Sequence, residues 1–323
     1  MIYRISHRTT YKYDYPVSVG NHVACLTPRS YANNKMIVRG LRISPTPITL
    51  TERLDYFGNM LCFFMVGEPH TELVVEATSE MVREPDAGLV TDVAVQESPA
   101  WEHSTTALAE DHTSAGLDAY QYQFESPRIR IRSEFADYAL ESFTPGRPMR
   151  DALMELTTRI YQDFKFDPRV TTVRTPTEEV FKKRRGVCQD FAHVQISCLR
   201  SINIAARYVS GYLRTYPPPG KERLVGTDAS HAWVSAYCRG LGWIDVDPTN
   251  NLAPTDGHVT LAWGRDYGDV SPLRGLILGG GKHVLKVEVD MEPVEAPLAI
   301  HRGETPEKSG FSEPWSGRSP GES

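Results

Sequence analysis

Three residues of the chain have side chains that could together carry out nucleophilic catalysis. Cys188 lies in Gly186-Val-Cys-Gln-Asp-Phe-Ala-His193, His231 begins His-Ala-Trp-Val, and Asp247 ends Gly242-Trp-Ile-Asp-Val-Asp. A thiolate is a strong nucleophile, an imidazole can transfer protons, and a carboxylate can orient the imidazole. This set of residue types indicates nucleophilic catalysis by a cysteine thiolate.

The predicted position of Cys188 favours an ionised thiol. The residue follows a turn at Gly186, and the apolar spacing predicts a helix over residues 188–201. Free N–H groups and the positive end of the helix dipole attract negative charge to a helix start. A buried packing role is the usual interpretation of a lone cysteine. The histidine and aspartate downstream make the nucleophile the better hypothesis.

A predicted hairpin should bring His231 close to an aspartate. Residues 231–237 and 243–246 read as strands, joined by a turn at Arg239-Gly-Leu-Gly242. His231 and Asp247 lie about nine and six residues from the centre of that turn, so direct pairing requires a turn centred on Arg239 or a bulge. Asp245 lies two residues before Asp247, on the same face of the predicted strand, and could compete with it for His231. Asp247 is preferred because Pro248 ends the strand beside it.

Composition limits the class of protein. The 323 residues are 40% hydrophobic and 24% charged, which fits two globular domains. The net charge of −6 and the lack of a basic block argue against a nucleic-acid partner. The apolar runs are far shorter than the roughly 20 residues that cross a bilayer, and the start lacks the apolar segment of a secretory signal. We expect a cytoplasmic protein without a membrane partner, in which the five cysteines are reduced.

Changes in periodicity divide the chain into four parts and predict an α+β fold. Residues 1–82 alternate as an N-terminal antiparallel β-sandwich, and residues 83–130 read as a connector. Residues 131–292 combine helical and strand patterns in an α+β catalytic domain, whose core motif region is 180–252. Residues 293–323, rich in Pro, Gly, Ser and Glu, are predicted to be a disordered tail.

Neither a metal nor a cofactor is expected. His193 lies five residues after Cys188, about 140° around a helix, so these two side chains do not converge on one ion. Asp190 falls in the first turn of the predicted helix, where a carboxylate more often caps N–H groups than takes part in catalysis.

The combined motifs are specific enough to identify a family. In order, the Cys188 segment, Ala206-Arg-Tyr-Val-Ser-Gly-Tyr212, Asp228-Ala-Ser-His-Ala-Trp233 and Gly242-Trp-Ile-Asp-Val-Asp-Pro-Thr-Asn250 resemble the bacterial transglutaminase-like family of papain-like cysteine enzymes. Leu26-Thr-Pro-Arg29 and Asp55-Tyr-Phe-Gly-Asn59 are similar to the β-rich domain that precedes the catalytic domain in these proteins. Ser235 departs from the family, in which Glu tends to follow His-Ala-Trp-Val.

This resemblance implies roles for the three residues. Cys188 would be the nucleophile, His231 the general base and acid, and Asp247 the residue that orients the histidine. The Cys188 backbone N–H would be the first oxyanion donor, and Gln189 and Trp233 are candidates for the second or for the cleft wall.

The resemblance also implies a protein or peptide substrate attacked at an amide or other acyl carbonyl to form a thioester. Water would then complete hydrolysis, as a peptidase or amidase, or an amine would complete transfer, as a transglutaminase. Hydrolysis is favoured because nothing suggests crosslinking in a cytosol. A non-catalytic interaction module on the same scaffold is the alternative.

Overall fold

The computed structural model describes residues 1–84, 98–215 and 229–295. Residues 296–323, most of the predicted disordered tail, lie outside the described residues. The predicted α+β class is confirmed, because an antiparallel β region is followed by a core of helices and a second sheet. No helix in the described ranges has the length and apolar character needed to cross a membrane.

One long strand organises the N-terminal sheet. The seven strands of this sheet are β1 (Ile2–Ala24), β2 (Asn34–Ser44), β3 (Thr49–Leu54), β4 (Met60–Val66), β5 (His70–Arg83), β12 (Leu273–Gly279) and β13 (His283–Val294). β1 pairs antiparallel with β4 and β5 along one edge and with β12 and β13 along the other, while β2 pairs with β5 and β3 with β4.

The sheet curls where the register of β1 is irregular. Its pairing with β5 shifts between Lys12 and Val17, and its pairing with β12 shifts between Val17 and Val19. A shared apolar cluster includes Val17 of β1, Phe64 of β4 and Val75 of β5. The predicted antiparallel β fold is therefore confirmed, and the layers of the predicted sandwich belong to one curled sheet.

The C-terminal strands correct the predicted domain division. The sequence assigns all of 131–292 to the catalytic domain, but β12 and β13 pair with β1 and complete the N-terminal sheet. An alternating pattern predicts that a segment is a strand and does not specify its partner. The assignment was wrong for residues 273–292 because this pairing joins opposite ends of the chain.

The remaining elements form the second part of the fold. They are α1 (Trp101–Glu110), α2 (Ser114–Tyr120), α3 (Ser133–Leu140), α4 (Met149–Asp163), β6 (Lys165–Phe166), α5 (Thr177–Lys183), β7 (Arg185–Gly186), α6 (Cys188–Ser201), β8 (Ala206–Leu213), β9 (Ala229–Cys238), β10 (Gly242–Val246), β11 (His258–Gly264) and α7 (Tyr267–Val270). Four of these strands form a second antiparallel sheet in the order β10-β9-β8-β11. Helix α6 packs against β8 and β9 through residues such as Val194, Cys198 and Val234. The predicted connector contributes two short helices, α1 and α2.

The backbone of β11, which forms one edge of the second sheet, is held by the N-terminal region. Arg83 Nε donates to the carbonyl of His258 at 2.9 Å, and Asn34 Nδ2 donates to the carbonyl of Thr260 at 3.1 Å. The backbone N–H of Arg29 donates to the carbonyl of Leu261 at 3.1 Å. These bonds satisfy backbone groups that an edge strand would otherwise leave unpaired.

The two N-terminal motifs noted in the sequence meet at Trp263 of β11. Asn59 accepts from the backbone N–H of Trp263 at 3.1 Å and donates to its carbonyl at 2.8 Å. The guanidinium of Arg29 lies 3.6 Å from the Trp263 ring centroid, and that of Arg207 lies 3.8 Å from it. The cation–π contact of Arg29 and the hydrogen bonds of Asn59 therefore join the N-terminal region to the second sheet.

His7 makes the stability of this junction sensitive to acid. The His7 side chain is 1% exposed, and its Nδ1 lies 3.1 Å from the Tyr212 hydroxyl of β8. Burial lowers the pKa of His7 from 6.5 to about 4, so the unfolded chain takes up a proton first as the pH falls. The stability contributed by neutral His7 is complete above pH 6.5 and is lost as the pH falls through about 4.

We expect the free energy of unfolding to fall between pH 7 and pH 4.5, with His7 contributing about 2 kcal/mol of the loss. Urea unfolding at the two pH values measures it. Burial also lowers the pKa of His22 and His193, so the informative comparison is with His7→Gln, which should lose less stability between these pH values. Equal losses in the two proteins would contradict the assignment to His7.

Candidate active site

Cys188 is the first residue of α6, as predicted, and Asp190 fixes the start of that helix. The Asp190 carboxylate accepts from the backbone N–H of Val187 at 2.8 Å and from the Thr171 hydroxyl at 2.7 Å. The predicted capping role of Asp190 is confirmed by these contacts. Burial raises the pKa of Asp190 although both hydrogen bonds oppose that change.

His231 on β9 contacts both other predicted residues. Its Nε2 lies 2.7 Å from Asp247 Oδ2, and its side chain also forms a hydrogen bond with Cys188. Because Nε2 faces Asp247, Nδ1 is the ring nitrogen left for the sulfur. His231 and Asp247 are buried, while Cys188 is half-buried. The structure therefore brings Cys188, His231 and Asp247 together in the order that a thiol–imidazole–carboxylate triad requires.

The hairpin register explains how the aspartate reaches the histidine. Gly242 pairs with Cys238 and Val246 with Val234, so continuing this register places Asp247 opposite Trp233, two residues from His231. Residues two apart on one strand share a face, and diagonal neighbours remain within reach of long side chains. The contact is thus diagonal, and neither the direct pairing nor the bulge considered from the sequence is needed.

Asp245 does not compete for His231. Its Oδ2 accepts from the indole N–H of Trp233 at 3.0 Å, and the Trp233 side chain is 1% exposed. This contact occupies the only donor of the indole. The prediction that Trp233 is an oxyanion donor is therefore wrong, although its ring lies near the site. Gln189 is the second residue of α6 and is half-buried, and its role stays a prediction.

Gly211 provides the space that the Trp233 indole occupies. Gly211 pairs with His231 across β8 and β9. A Cβ atom on Gly211 would lie 2.3 Å from the Trp233 ring and 2.4 Å from the carbonyl oxygen of Val259. The Trp233 ring centroid is 6.3 Å from that of His231. The missing side chain of Gly211 therefore allows an aromatic ring to support the His231 imidazole.

The Asp247 carboxylate is surrounded by donors. Oδ1 accepts from the backbone N–H of Thr249 at 2.9 Å and of Asn250 at 3.3 Å. Oδ2 accepts from His231, from Asn250 Nδ2 at 2.7 Å and from His258 Nε2, 3.2 Å away. The Asp-Pro-Thr-Asn turn after β10 thus folds back onto its own first residue.

These contacts shift two pKa values in opposite directions. Burial alone would raise the pKa of Asp247, but the hydrogen bonds from His231 and His258 outweigh it and lower that pKa. Burial alone would lower the pKa of His231, but its hydrogen bonds to Asp247 and Cys188 raise that pKa well above the ordinary 6.5. The pair therefore favours a carboxylate beside an imidazolium.

Sequence reasoning missed two residues that contact the triad aspartate. Asn250 had a local signal, because Asp-x-x-Asn after a strand is typical of a turn closed by side-chain hydrogen bonds. His258 had none: a single histidine at the start of a strand carries no motif, and only the sheet places it next to Asp247.

One ring nitrogen of His231, one of His258 and a carboxylate oxygen of Asp247 lie within 4.8 Å of one another and are chemically suited to hold a metal ion. In the structure the two nitrogens instead form hydrogen bonds with the same carboxylate oxygen. His193 takes no part, because its Nε2 accepts from the backbone N–H of Tyr267. The sequence-based expectation of no metal stays a prediction.

Comparison with known proteins assigns the family. Residues 3–82 match the bacterial transglutaminase-like N-terminal region, and residues 136–248 match the transglutaminase-like superfamily. Uncharacterized protein Rv2569c of Mycobacterium tuberculosis is 37% identical over 305 residues, covering 93% of this chain and 95% of that protein. The chain belongs to the bacterial transglutaminase-like family. Uncharacterized protein ML0607 of Mycobacterium leprae is 30% identical over 292 residues, covering 89% of this chain and 97% of that protein.

A solved structure shares the fold of this transglutaminase-like protein. It is described as a candidate cysteine protease from Cytophaga hutchinsonii and superposes with a TM-score of 0.72 at 20% identity, covering 93% of this chain and 92% of that one. A protein-glutamine gamma-glutamyltransferase of Pseudomonas aeruginosa is 33% identical over 107 residues, which are 31% of this chain and 16% of that protein.

Selective alkylation should single out Cys188. The other four cysteines are buried, and burial raises the pKa of Cys25 to about 12, that of Cys62 to about 11, and those of Cys198 and Cys238 as well. At about pH 6 we expect iodoacetamide to modify Cys188 at least about tenfold faster than any other cysteine, read by peptide mass spectrometry. His231→Ala should slow the reaction, and a Cys188 no more reactive than free cysteine would contradict the prediction.

Gly211→Ala should displace the Trp233 ring. We expect it to lower the free energy of unfolding by about 1–3 kcal/mol and to slow Cys188 alkylation, because the ring contacts His231. Gly257→Ala is the matched control, since a Cβ atom there meets nothing closer than 3.7 Å. Urea unfolding and the alkylation rate measure both effects. Equal stability of the two variants would contradict a steric conflict at Gly211.

Proposed function

We propose that this transglutaminase-like protein is a cysteine-dependent enzyme that cleaves or transfers an amide or acyl group through a thioester on Cys188. The observation that carries the proposal is the position of His231, which forms hydrogen bonds with Cys188 and with the buried carboxylate of Asp247. A non-catalytic interaction module would have no need for this assembled arrangement.

The first half-reaction follows from the positions of the three side chains. The Cys188 thiolate attacks the acyl carbonyl carbon, and the negative oxygen accepts a hydrogen bond from the Cys188 backbone N–H at the start of α6. The tetrahedral intermediate then breaks its C–N bond, and His231 gives a proton to the departing amine. Asp247 keeps the Nε2–H of His231 in place, so the acting nitrogen is Nδ1.

The second half-reaction restores the thiolate. A water molecule attacks the thioester, His231 takes one of its protons, the C–S bond breaks, and a carboxylic acid leaves. If an amine replaces water, the same steps form a new amide and the protein acts as a transglutaminase. We favour hydrolysis as a peptidase or amidase. The name of the Pseudomonas relative, a protein-glutamine gamma-glutamyltransferase, supports transfer as the second candidate.

A protein or peptide is the proposed substrate, since the name of that same relative specifies protein glutamine. We also propose that the protein works in the cytoplasm, and that neither nucleic acid nor membrane is its partner, as the composition suggests. Incubation with a library of peptides and glutamine donors tests the substrate class. Mass spectrometry of the products separates hydrolysis from transfer, because only transfer joins the added amine to the peptide.

Single replacements test the triad. We expect Cys188→Ala to abolish the thioester and to lower turnover by at least about a thousandfold, with thermal unfolding nearly unchanged because the residue is only half-buried. His231→Ala should reduce turnover more than Asp247→Asn, since the amide of asparagine can still hold the imidazole. Cys62→Ala, in the N-terminal sheet, is the control and should stay active. A fully active Cys188→Ala protein would refute the mechanism.

A further inference from the structure

We infer that His258 is a positioning residue for the triad: its Nε2–H holds the carboxylate of Asp247 in the orientation that His231 requires. The inference rests on the proposed function, because it assigns His258 to the same site. His258 begins β11, is 2% exposed, and its Nε2 lies 3.2 Å from Asp247 Oδ2. The sequence alone gave no reason to associate it with Cys188.

Contacts of the second ring nitrogen determine which nitrogen carries the proton. The backbone N–H of Thr255 donates to His258 Nδ1 at 3.3 Å. A ring nitrogen that accepts a hydrogen bond carries no proton, so the neutral ring has its N–H on Nε2. That N–H is directed at Asp247. His258 therefore acts as a donor to the carboxylate and leaves its charge in place.

The ring is held by its surroundings. The backbone N–H of His258 donates to the carbonyl of Thr255 at 3.1 Å, and the His258 carbonyl accepts from Arg83 Nε at 2.9 Å. The Trp233 ring lies edge-to-face against the imidazole, with centroids 5.4 Å apart. Backbone and ring are thus both constrained, which is a condition for a residue that orients another.

His258 and His231 donate to the same oxygen atom, Oδ2 of Asp247. If the His258 donor were removed, His231 and Asn250 would be the two side chains among the described residues that still contact Oδ2. A buried carboxylate that loses a donor can rotate toward its remaining partners, and the 2.7 Å contact to His231 would lengthen. The imidazole would then be less well oriented toward Cys188.

Two substitutions that introduce an amide distinguish the effect of the Nε2–H donor of His258 from the effect of its ring. A glutamine amide nitrogen reaches about as far along the side chain as histidine Nε2, whereas that of asparagine reaches only as far as Nδ1. We expect His258→Asn to slow Cys188 alkylation by iodoacetamide about tenfold and to shift the His231 Nε2–H proton resonance upfield. His258→Gln should stay within about threefold of the unchanged protein and keep the resonance.

Several outcomes would overturn the inference. If both variants keep the alkylation rate and the resonance, His258 only fills space. If His258→Asn and His258→Gln both slow alkylation and shift the resonance equally, with unchanged thermal unfolding, then the imidazole ring is required and its Nε2–H donor is not. The ¹⁵N spectrum of histidine in the unsubstituted protein needs no variant, and a proton on Nδ1 of His258 would refute the assignment. A shift of that spectrum on adding EDTA would assign His231, Asp247 and His258 to a metal instead.

Failure of the inference is distinguishable from failure of the proposed function. If the unsubstituted protein shows neither selective alkylation of Cys188 nor a thioester, the enzyme proposal fails. The tautomer of His258 and the His231 resonance still report whether His258 orients Asp247 in that case. If Cys188 reacts selectively and the His258 variants behave alike, the enzyme proposal stands and the positioning role falls.

Discussion

The burial of one carboxylate constrains the whole site. Asp247 is 0% exposed, and a charge removed from water is stable only when donors replace its hydration. Those donors come from β9 through His231, from the turn after β10 through Thr249 and Asn250, and from β11 through His258. Two strands of the sheet and the turn after β10 must therefore converge on two oxygen atoms, and the orientation of His231 toward Cys188 depends on that convergence.

The N-terminal region supports the same sheet. Its apolar residues Tyr3, Ile5 and Met81 share a buried cluster with Tyr212 of β8 and Leu261 of β11. Its polar side chains hold the backbone of β11 at several points, including the carbonyl of the residue that contacts Asp247. An edge strand held in this way has little freedom to shift its register. The curled sheet thus fixes the position of the second sheet.

Part of this arrangement was predictable because it is local. Helix initiation at Cys188, capping by Asp190 and the hairpin after His231 depend on residues close together in sequence. Other features were not, because they depend on contacts between distant segments. The return of β12 and β13 to β1 could not be inferred from an alternating pattern, and the bond between Trp233 and Asp245 depends on which face of the hairpin is buried.

The sequence by itself determined the α+β class, the order of thiol, imidazole and carboxylate, and the choice of family, since these follow from residue types and short spacings. Only the tertiary structure decided that Asp247 reaches His231 diagonally, that the Trp233 indole N–H donates to Asp245, and that His258 contacts the Asp247 carboxylate. The physical reason is that a buried charge is stabilised by donors that lie close to it in space, and the spacing of residues along the chain does not show which of them will be close.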